Sequence, residues 1–430
     1  MWTFILSILI VGSYGSCYWN DMCSYTLFGT KTAYDTIRGD IRDTQPLRNC
    51  EPISVWMMTR HGTRHPEEKE IHQMRQVIRV KKQILNAHME GRGELCAQDI
   101  ENLYKWEWRN ALDLTPSELT PEGFVQLRSL ASRLEERYYK LLKSLDEYQM
   151  RASHEERTQM SASAFLQGLR KTRQYFKIST SFPNDLTTRP YRYCRKRYED
   201  ILIGPKIPKE INEYINTEDF KRVQSSVQNR TGLLEPLTPK QILSLYDVCR
   251  YYRSYTVLLQ DPWCAIFTNQ DLKHLEFVED IRHYYRNGHG QPMNAKLGGS
   301  SLKDLYNKFV RAKKGVKSFS VFFSHDTLLG MMYAALGLYK DDPEITGNKR
   351  AEDRKWRTSY LTPYAANFIA ILNKCKNPTG STYKVQFFVN EKELEVCEGG
   401  PCNWIQFVDK FKNFTHSNLD FCQNVSNKQF

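Results

Sequence analysis

Residues 53–66 read Ile-Ser-Val-Trp-Met-Met-Thr-Arg-His-Gly-Thr-Arg-His-Pro and contain two contrasting halves. The first half, residues 53–59, is apolar, rich in β-branched and aromatic side chains, and as long as a typical strand. The second half opens with Arg60 and His61. The stretch therefore predicts a buried strand that ends at charged residues.

Two other segments repeat this arrangement. Residues 148–152 are extended in character and precede a polar loop that contains Arg157. Residues 318–323 are apolar and precede Ser324, His325 and Asp326. Ligands of α/β proteins usually bind beyond the carboxyl ends of the strands. We therefore expect the three charged ends to converge on one site.

Helical patterns separate these strands. Thr120 can cap a helix whose first position suits Pro121. Apolar residues then recur at helical spacing: Phe124, Leu127, Leu130, Leu134, Tyr138, Leu141 and Leu145. Residues 327–338 are apolar on every side, which predicts a buried helix. Strands alternating with helices predict an α/β fold, a Rossmann-like central sheet flanked by helices.

The middle of the chain has fewer strand signals. Helical periods over residues 237–259 and 272–285 predict a mainly helical insertion domain spanning 165–313, which caps the cleft. The α/β core then comprises residues 16–164 and 314–430. In the tail, residues 383–389 and 392–396 flank Asn390-Glu391 and predict a two-stranded unit.

The chain termini and the cysteines indicate an exported protein. Residues 4–11 form a short apolar run followed by small residues, which predicts a signal peptide over 1–15, and no later segment has the character of a transmembrane helix. The tail carries neither an anchor nor an ER-retention signal.

Eleven cysteines without zinc-ribbon spacing favour disulfides in an oxidising compartment. Short bridges such as Cys249–Cys264 and Cys397–Cys402 are candidates, and the odd count leaves at least one thiol free or intermolecular.

Three sequons begin at Asn229, Asn413 and Asn424 and predict glycosylation of a secreted product. The formal charge of +12 favours anionic partners without choosing among them. No nucleic-acid-binding motif accompanies it, so nucleic acid is not an expected partner. The oligomeric state stays open.

The segment from Arg60 to Pro66 is the strongest chemical signal. Phosphoryl transfer needs an aligned nucleophile and positive charge against the phosphoryl oxygens. A neutral His61 can be that nucleophile, and Arg60 and Arg64 can clamp the phosphate. Their charges would keep His61 unprotonated. The alternative is a solvated Arg/His turn after an edge strand.

Two further elements complete the predicted site. Asp326 can give a proton to a leaving alkoxide, and His325 can donate a hydrogen bond to a phosphoryl oxygen. Arg157 can add the charge needed against a dianionic phosphate. Taken alone, His325-Asp326 also suits a helix-capping turn, and Arg157 also suits a surface position before a helix.

Together these residues resemble the histidine acid phosphatases. Residues 60–66 match the family signature RHGxRxP, and His325-Asp326 matches its distal His-Asp pair. Arg157 matches the family's third phosphate-binding arginine. The resemblance looks closest to the multiple inositol polyphosphate phosphatase branch, on the basis of residues 28–34, 338–343, 357–368 and 389–391.

The resemblance implies a site without metal or cofactor that hydrolyses phosphorylated inositols such as phytate. It implies His61 as nucleophile, Asp326 as proton donor, and a phosphate-binding set of Arg60, Arg64, Arg157 and His325. One departure concerns the acid, because the inositol phosphatase branch typically has His-Ala-Glu where this chain has His325-Asp326-Thr327. A general acid phosphatase acting on monophosphates is therefore an alternative, as is a secreted binding protein that holds anionic ligands without turnover.

A basic run lies inside the predicted insertion. Between Arg170 and Glu210 there are eleven Lys or Arg residues against four acids. The run can form a cleft wall for the non-reacting phosphates of a polyanion. It can equally be a solvated face or a heparin-like contact.

Overall fold

The fold is described here from a computed structural model, which covers residue 17 and residues 26–108, 115–180, 185–255, 262–378 and 380–422. The predicted signal peptide (1–15), Cys23 and the sequon at Asn424 lie outside these residues. The sequon asparagines Asn229 and Asn413 are described and exposed. Their glycosylation stays a prediction.

Eight strands of the described residues form one mixed sheet. They are β1 (Cys50–Arg60), β2 (Glu147–Ala152), β3 (Ile178–Thr180), β4 (Ser318–Ser324), β5 (Asn367–Asn377), β6 (Gly380–Val389), β7 (Lys392–Leu394) and β8 (Cys402–Asn403). Their order is β3-β2-β4-β1-β5-β6-β7, with β8 also paired to β6. The strands β3, β2, β4 and β1 are parallel, and β5 to β8 pair antiparallel. The three strands predicted to end at charged residues are adjacent in the order β2-β4-β1.

Helices cover both faces of the sheet, which confirms the predicted fold class. Those of eight or more residues are α1 (Glu68–Val77), α2 (Lys81–Met89), α3 (Ala97–Lys105), α4 (Pro121–Leu142), α5 (Glu156–Gly168), α6 (Lys206–Ile215), α7 (Glu218–Thr231), α8 (Pro239–Tyr255), α9 (Asn269–Asn287), α10 (Pro292–Lys313), α11 (Asp326–Ala335) and α12 (Trp404–Phe411). In the part of the chain that the structure describes, none of the helices combines the length and the apolarity that crossing a bilayer requires.

Alternation along β1 explains why both faces are covered. Val55 and Met57 belong to one buried cluster, together with the apolar stripe of α4. Trp56 and Met58 point to the other face, into a second and larger cluster. Trp56 also donates a hydrogen bond through Nε1 to Asp304 of α10 at 2.8 Å. Successive side chains of a strand point to opposite faces, so a strand with no polar alternation is buried on both sides.

Helix α4 begins as predicted. Thr120 is its N-cap and accepts a hydrogen bond from the backbone N–H of Gly123 at 3.1 Å, and Pro121 occupies the first position. The helix ends at Leu142, so Leu145, the last residue of the predicted stripe, lies beyond it.

The middle of the chain is mainly helical, and α8 and α9 correspond to the helices predicted there. The short strand β3 also falls within the 165–313 interval and pairs with β2 of the central sheet. The boundaries of the insertion domain stay a prediction. The tail hairpin is confirmed as β6 and β7, with Asn390 and Glu391 in its turn at φ +52° and +63°.

Both short disulfides, Cys249–Cys264 and Cys397–Cys402, are present. Three longer bridges join Cys17–Cys96, Cys50–Cys375 and Cys194–Cys422. Every cysteine among the described residues is therefore in a disulfide.

Candidate active site

Parallel pairing brings the three charged strand ends to one edge of the sheet. Arg60 is opposite Ser324 in the register of β1 and β4, and Ala152 is opposite Phe323 in the register of β2 and β4. The backbone N–H of His61 donates to the carbonyl of Ser324 at 3.1 Å, one residue past the strand. The convergence expected from the sequence is therefore present.

A cavity of about 600 Å³ opens at this edge. Its lining includes all six residues that the sequence predicted for the site: Arg60, His61, Arg64, Arg157, His325 and Asp326. Such a volume is typical of a small-molecule site.

His61 has a defined tautomer. Its ring is 2 % exposed, and its Nδ1 lies 2.8 Å from the carbonyl oxygen of Gly62. A carbonyl oxygen can only accept, so Nδ1 carries the proton and Nε2 keeps its lone pair. Burial, followed by the charges of Arg60 and Arg157, lowers the pKa of His61 well below its usual value. The ring is therefore a neutral base with a free Nε2.

Arg60 is held rigidly beside this ring. Its Nη1 donates to the carbonyl oxygens of Thr30 and Thr362, the latter at 2.9 Å. Its guanidinium lies 4.5 Å from the centre of the Tyr364 ring. Arg64 is anchored by its neighbour in the sequence, because its Nη1 donates to the carbonyl of His65 at 2.7 Å. Both cations are thus oriented before any ligand arrives.

Arg157 lies in the first turn of α5 and completes the set of three arginines. Its Nε is buried without a hydrogen-bond partner among the described residues. The backbone of this turn is tied to the His61 loop through Ser161, whose Oγ donates to the carbonyl of Arg157 at 2.7 Å and accepts from the N–H of Gly62 at 3.1 Å. A half-buried arginine that lines a cavity and has an unpaired, buried Nε is suited to binding an anion.

Close contact with a helix requires glycine at position 62. A Cβ at Gly62 would lie 2.3 Å from the carbonyl oxygen of Gly123, and a Cβ at Gly123 would lie 2.2 Å from that of Thr63. The two glycines let α4 touch the loop after β1 directly. This contact fixes how far the His61 backbone stands from the helix.

His325 has partners that the sequence analysis did not identify. Its Nε2 lies 3.2 Å from Oε2 of Glu155 and 3.3 Å from Oγ of Ser153. Glu155 is also paired with Arg189 at 2.7 Å. Burial lowers the pKa of His325 to about 4, with the Glu155 carboxylate opposing that shift. The signal in the sequence was the position of Glu155, two residues before Arg157 at the same predicted strand end.

Asp326 is in the first turn of α11 and faces the cavity. Burial by itself would raise its pKa, but Arg60, His283 and Arg286 outweigh burial and lower the pKa below its usual value. The unliganded site therefore holds Asp326 as a carboxylate. His283, which the sequence analysis also missed, places Nδ1 3.5 Å from Oδ2 of Asp326.

The cavity is strongly cationic beyond the predicted set. Its lining has twelve Lys or Arg residues against six Asp or Glu residues. Cations outside the predicted set include Lys69, Arg192, Arg197, Lys240, Arg282 and Arg286.

Of the eleven basic residues of the 170–210 run, Arg189, Arg192 and Arg197 line the cavity. Others, such as Arg195 and Lys196, form surface ion pairs within their own turn. The basic run is thus partly a cavity wall and partly a solvated face.

The arrangement defines a class of protein. Residues 53–390 match the model of the histidine phosphatase superfamily (branch 2), and the chain belongs to this family. It is a phosphatase, a hydrolase of phosphoric monoesters.

Individual relatives of the chain carry names that are more specific than the family name. The chain is 29% identical over 401 residues to multiple inositol polyphosphate phosphatase 1 of Drosophila melanogaster, covering 90% of this chain and 84% of the relative. It is 25% identical over 437 residues to the Homo sapiens protein of the same name, covering 92% and 87%. Phytase A of Aspergillus fumigatus is 20% identical over 388 residues, covering 82% and 79%.

Solved structures share the fold. The phytase from D. castellii superposes with a TM-score of 0.72 at 17% identity, covering 95% of this chain and 89% of that one. The Bifidobacterium longum multiple inositol polyphosphate phosphatase in complex with inositol hexasulfate gives 0.66 at 14% identity, covering 86% and 92%.

Proposed function

We propose that this phosphatase removes phosphate groups from inositol polyphosphates through a phosphohistidine on His61. The observation that carries the proposal is the hydrogen bond from His61 Nδ1 to Gly62, which leaves Nε2 free within a cluster of arginines. The names of the relatives, multiple inositol polyphosphate phosphatases and phytases, support the substrate class.

In the first step, His61 Nε2 attacks phosphorus and the bond to the leaving oxygen breaks. Arg60, Arg64, Arg157 and His325 hold the phosphoryl oxygens, and Asp326 gives its proton to the leaving oxygen. In the second step, water attacks the phosphohistidine and gives a proton back to Asp326. Inorganic phosphate leaves, and His61 is again neutral.

Asp326 needs a proton before the first step. A bound phosphate dianion offsets the cations that keep this carboxyl ionised in the free site, so its pKa rises when substrate binds. Binding of the substrate therefore shifts Asp326 toward its protonated, acid form.

The excess of cations in the cavity supports a polyanionic substrate. Three arginines and His325 suffice for one phosphate. The cavity carries Arg192, Arg197, Lys240, Arg282 and Arg286 in addition. Clustered cations in a low-dielectric cleft favour a ligand with several phosphates over one with a single phosphate.

A second candidate function is a general acid phosphatase. Asp326-Thr327, in place of the Ala-Glu typical of the inositol phosphatase branch, favours it. Phosphate release from phytate and from β-glycerophosphate, measured from pH 3 to 8, separates the two. Preference for phytate supports the first proposal, and preference for the monophosphate supports the second.

Replacing the nucleophile tests the mechanism. His61→Ala should abolish release of phosphate, while isothermal titration with phytate still detects binding. Full activity of His61→Ala contradicts the phosphohistidine route. Binding without turnover by the wild-type protein favours a non-catalytic binder of anions.

Export is part of the proposal. Five disulfides among the described residues suit an oxidising compartment. Expression in cultured eukaryotic cells should deliver the chain to the medium with its N-terminal segment removed near residue 15. Retention in the cytosol with an intact N-terminus contradicts it.

A further inference from the structure

Six exposed cations lie together on the surface at the end of α4, outside the cavity. Two belong to the last turn of α4 and the residue after it, and four belong to the segment that follows α5. We call them the basic patch: Lys140, Lys143, Arg170, Lys171, Arg173 and Lys177. The patch contains the first four cations of the basic run, and none of its members lines the cavity.

Packing holds the two parts of the patch together. The Oε1 atom of Glu135, on α4, accepts hydrogen bonds from the backbone N–H groups of Lys171 and Thr172 at 3.0 and 2.9 Å. Lys143 and Lys171 also share one aromatic ring, because each places its Nζ 5.4 Å from the ring centre of Tyr139. The two segments therefore present their cations on one continuous surface.

Carboxylates are missing from the two segments. The sequence contains no Asp or Glu at 137–145 or at 157–184. Among the described residues, none of the six cations forms an ion pair. Acids that flank the segments have other partners: Glu136 pairs with Arg42, Asp146 accepts from the backbone of Lys317, and Glu147 pairs with Arg311.

Exposed cations elsewhere on the surface are compensated within their own helix. Examples are the pairs Lys209–Glu213, Lys221–Glu218 and Arg222–Asp219. Alternating charges of this kind are typical of a helix face that meets only water. The basic patch differs, because its like charges repel one another and a bound polyanion would relieve that repulsion.

The patch is remote from the cavity. Helices α4 and α5 both begin at the edge of the sheet where the cavity opens, since Gly123 contacts Gly62 and Arg157 lines the cavity. Helix α4 has 22 residues and α5 has 13, which at 1.5 Å per residue correspond to about 33 and 20 Å. A ligand held on the patch therefore leaves the cavity open to substrate.

We propose that the basic patch binds a sulfated polysaccharide of the heparin class. Sulfate groups keep their negative charge in acid and neutral solution and recur along such a chain, so one chain can contact several members of the patch. Arg170-Lys171-Thr172-Arg173 places three cations within four residues, as in heparin-binding segments. Tyr175, which is 46 % exposed, adds a flat ring that can pack against a sugar.

An anionic membrane fits the patch less well. Helices that lie in a membrane interface place apolar side chains such as Trp, Phe and Leu in the lipid. The apolar residues of these two segments are instead buried in the core: Leu141, Leu142, Leu169 and Phe176. Anionic lipid is also concentrated in the cytoplasmic leaflet, which an exported protein does not face. The choice of a glycan rests on the proposed export, whereas the patch itself is independent of the reaction at His61.

Two triple variants of the full chain test the proposal. The patch variant, Lys143→Gln/Lys171→Gln/Arg173→Gln, removes half of the cations. The matched control, Lys209→Gln/Lys221→Gln/Arg222→Gln, removes the same number and types of exposed cations from α6 and α7. Isothermal titration with a heparin oligosaccharide measures Kd at several NaCl concentrations. Both variants keep the cationic cavity, so any heparin that binds there contributes equally to the two.

We expect the patch variant to bind heparin about 10- to 100-fold more weakly than the wild type at low salt. The slope of log Kd against log NaCl concentration should fall by about two to three, because three contacts that release counterions are lost. The control variant should stay within about threefold of the wild type. Both variants should retain wild-type kcat and KM on β-glycerophosphate, which shows that they are folded and that the cavity is intact.

Equal heparin affinities of the two variants would overturn the proposal, because net charge or the cavity would then account for binding. Undiminished binding of the same oligosaccharide without its sulfate groups would also overturn it. Unchanged heparin affinity of the patch variant, with loss of its binding to phosphatidylserine vesicles, would assign the patch to a membrane instead. The His61→Ala variant should bind heparin as the wild type does, so failure of the proposed reaction and failure of the glycan site are distinguishable.

Discussion

Glu155 and His325 face each other at 3.2 Å, with the glutamate carboxylate also paired to Arg189. Burial opposes ionisation of Glu155, but His325 and Arg189 outweigh it and hold its pKa far below the usual range. A carboxylate therefore lies beside the ring that is proposed to bind the phosphate, and it stabilises the protonated form of that ring.

Replacing this carboxylate should weaken phosphate binding. Glu155 raises the pKa of His325 against the effect of burial, so Glu155→Gln lowers that pKa further. Protonated His325 then persists only at lower pH, and it is the protonated ring that can donate from both nitrogens. We expect kcat/KM to fall by about tenfold, with a loss that grows as the pH rises toward 4, the pKa of His325 in the wild-type protein, and levels off above it. Kinetics across pH 3–7 measure this, and the exposed neighbour in Glu156→Gln is the control. A loss independent of pH contradicts the assignment.

Arg157 should contribute mainly to holding the phosphoryl group. Removing a charge-assisted hydrogen bond costs about 1.5–3 kcal/mol, so Arg157→Ala should reduce kcat/KM by about 10- to 100-fold. Arg157→Lys should recover only part of the lost kcat/KM, because lysine lacks the planar guanidinium that can donate two parallel hydrogen bonds to a phosphoryl group. Steady-state kinetics on phytate test both variants, with the exposed Arg170→Ala as the charge-matched control. Unchanged kcat/KM in Arg157→Ala would remove Arg157 from the site.

The contact between Gly62 and Gly123 should control the position of the nucleophile. An added Cβ on Gly62 meets the Gly123 backbone and must push the His61 loop away from α4. A displacement of about 1 Å costs on the order of 100-fold in rate, so Gly62→Ala should lower kcat more than it changes KM. Gly123→Ala crowds the same contact from the helix side and should give the same pattern. Wild-type kcat in either variant would show that the contact is dispensable.

A buried ion pair should anchor the tail hairpin to α4. Arg133 donates to both carboxylate oxygens of Glu391, at 2.7 and 2.6 Å, and the Tyr34 hydroxyl also donates to Glu391 at 2.8 Å. Breaking a buried pair leaves an unpaired charge, so Glu391→Gln should lower the free energy of unfolding by about 3 kcal/mol. Urea denaturation measures the change. The exposed pair of Glu136 with Arg42 provides the control, since Glu136→Gln should change stability by less than about 1 kcal/mol. Equal effects of the two variants would contradict the anchoring role.

Much of this architecture could be predicted from local patterns. An apolar run with no polar alternation predicts a strand that is buried on both faces, as β1 and β4 are. The charged residues that follow these two strands predict the edge of the parallel sheet at which a ligand binds. Thr120-Pro121 sets the start of α4 because capping is a local property. The predicted site residues are together for the same reason, since each lies within five residues of a strand end.

Other features depend on packing that no local pattern encodes. His283 reaches Asp326 only because α9 lies over the ligand edge, and the rotation of a helix about its axis is set by its neighbours. Gly62 contacts Gly123 at the start of α4, and Gly123 is 61 residues away in the sequence. Glu155 could be predicted to be near the site but not to face His325, because its rotamer is fixed by Arg189.

The pairing of β1 with β4 determines when, during synthesis of the chain, the site can form. Arg60 meets Ser324 in the register, and His61 and His325 are 264 positions apart in the sequence. At 5–20 residues per second, the ribosome delivers the second residue about 13–50 s after the first. In the proposed mechanism, the nascent chain until then carries the nucleophile His61 without the acid Asp326, which directly follows His325, and it cannot turn over a phosphate ester. In that mechanism, activity begins late in synthesis, after β4 and the segment with Thr362 and Tyr364 that holds Arg60 have been made.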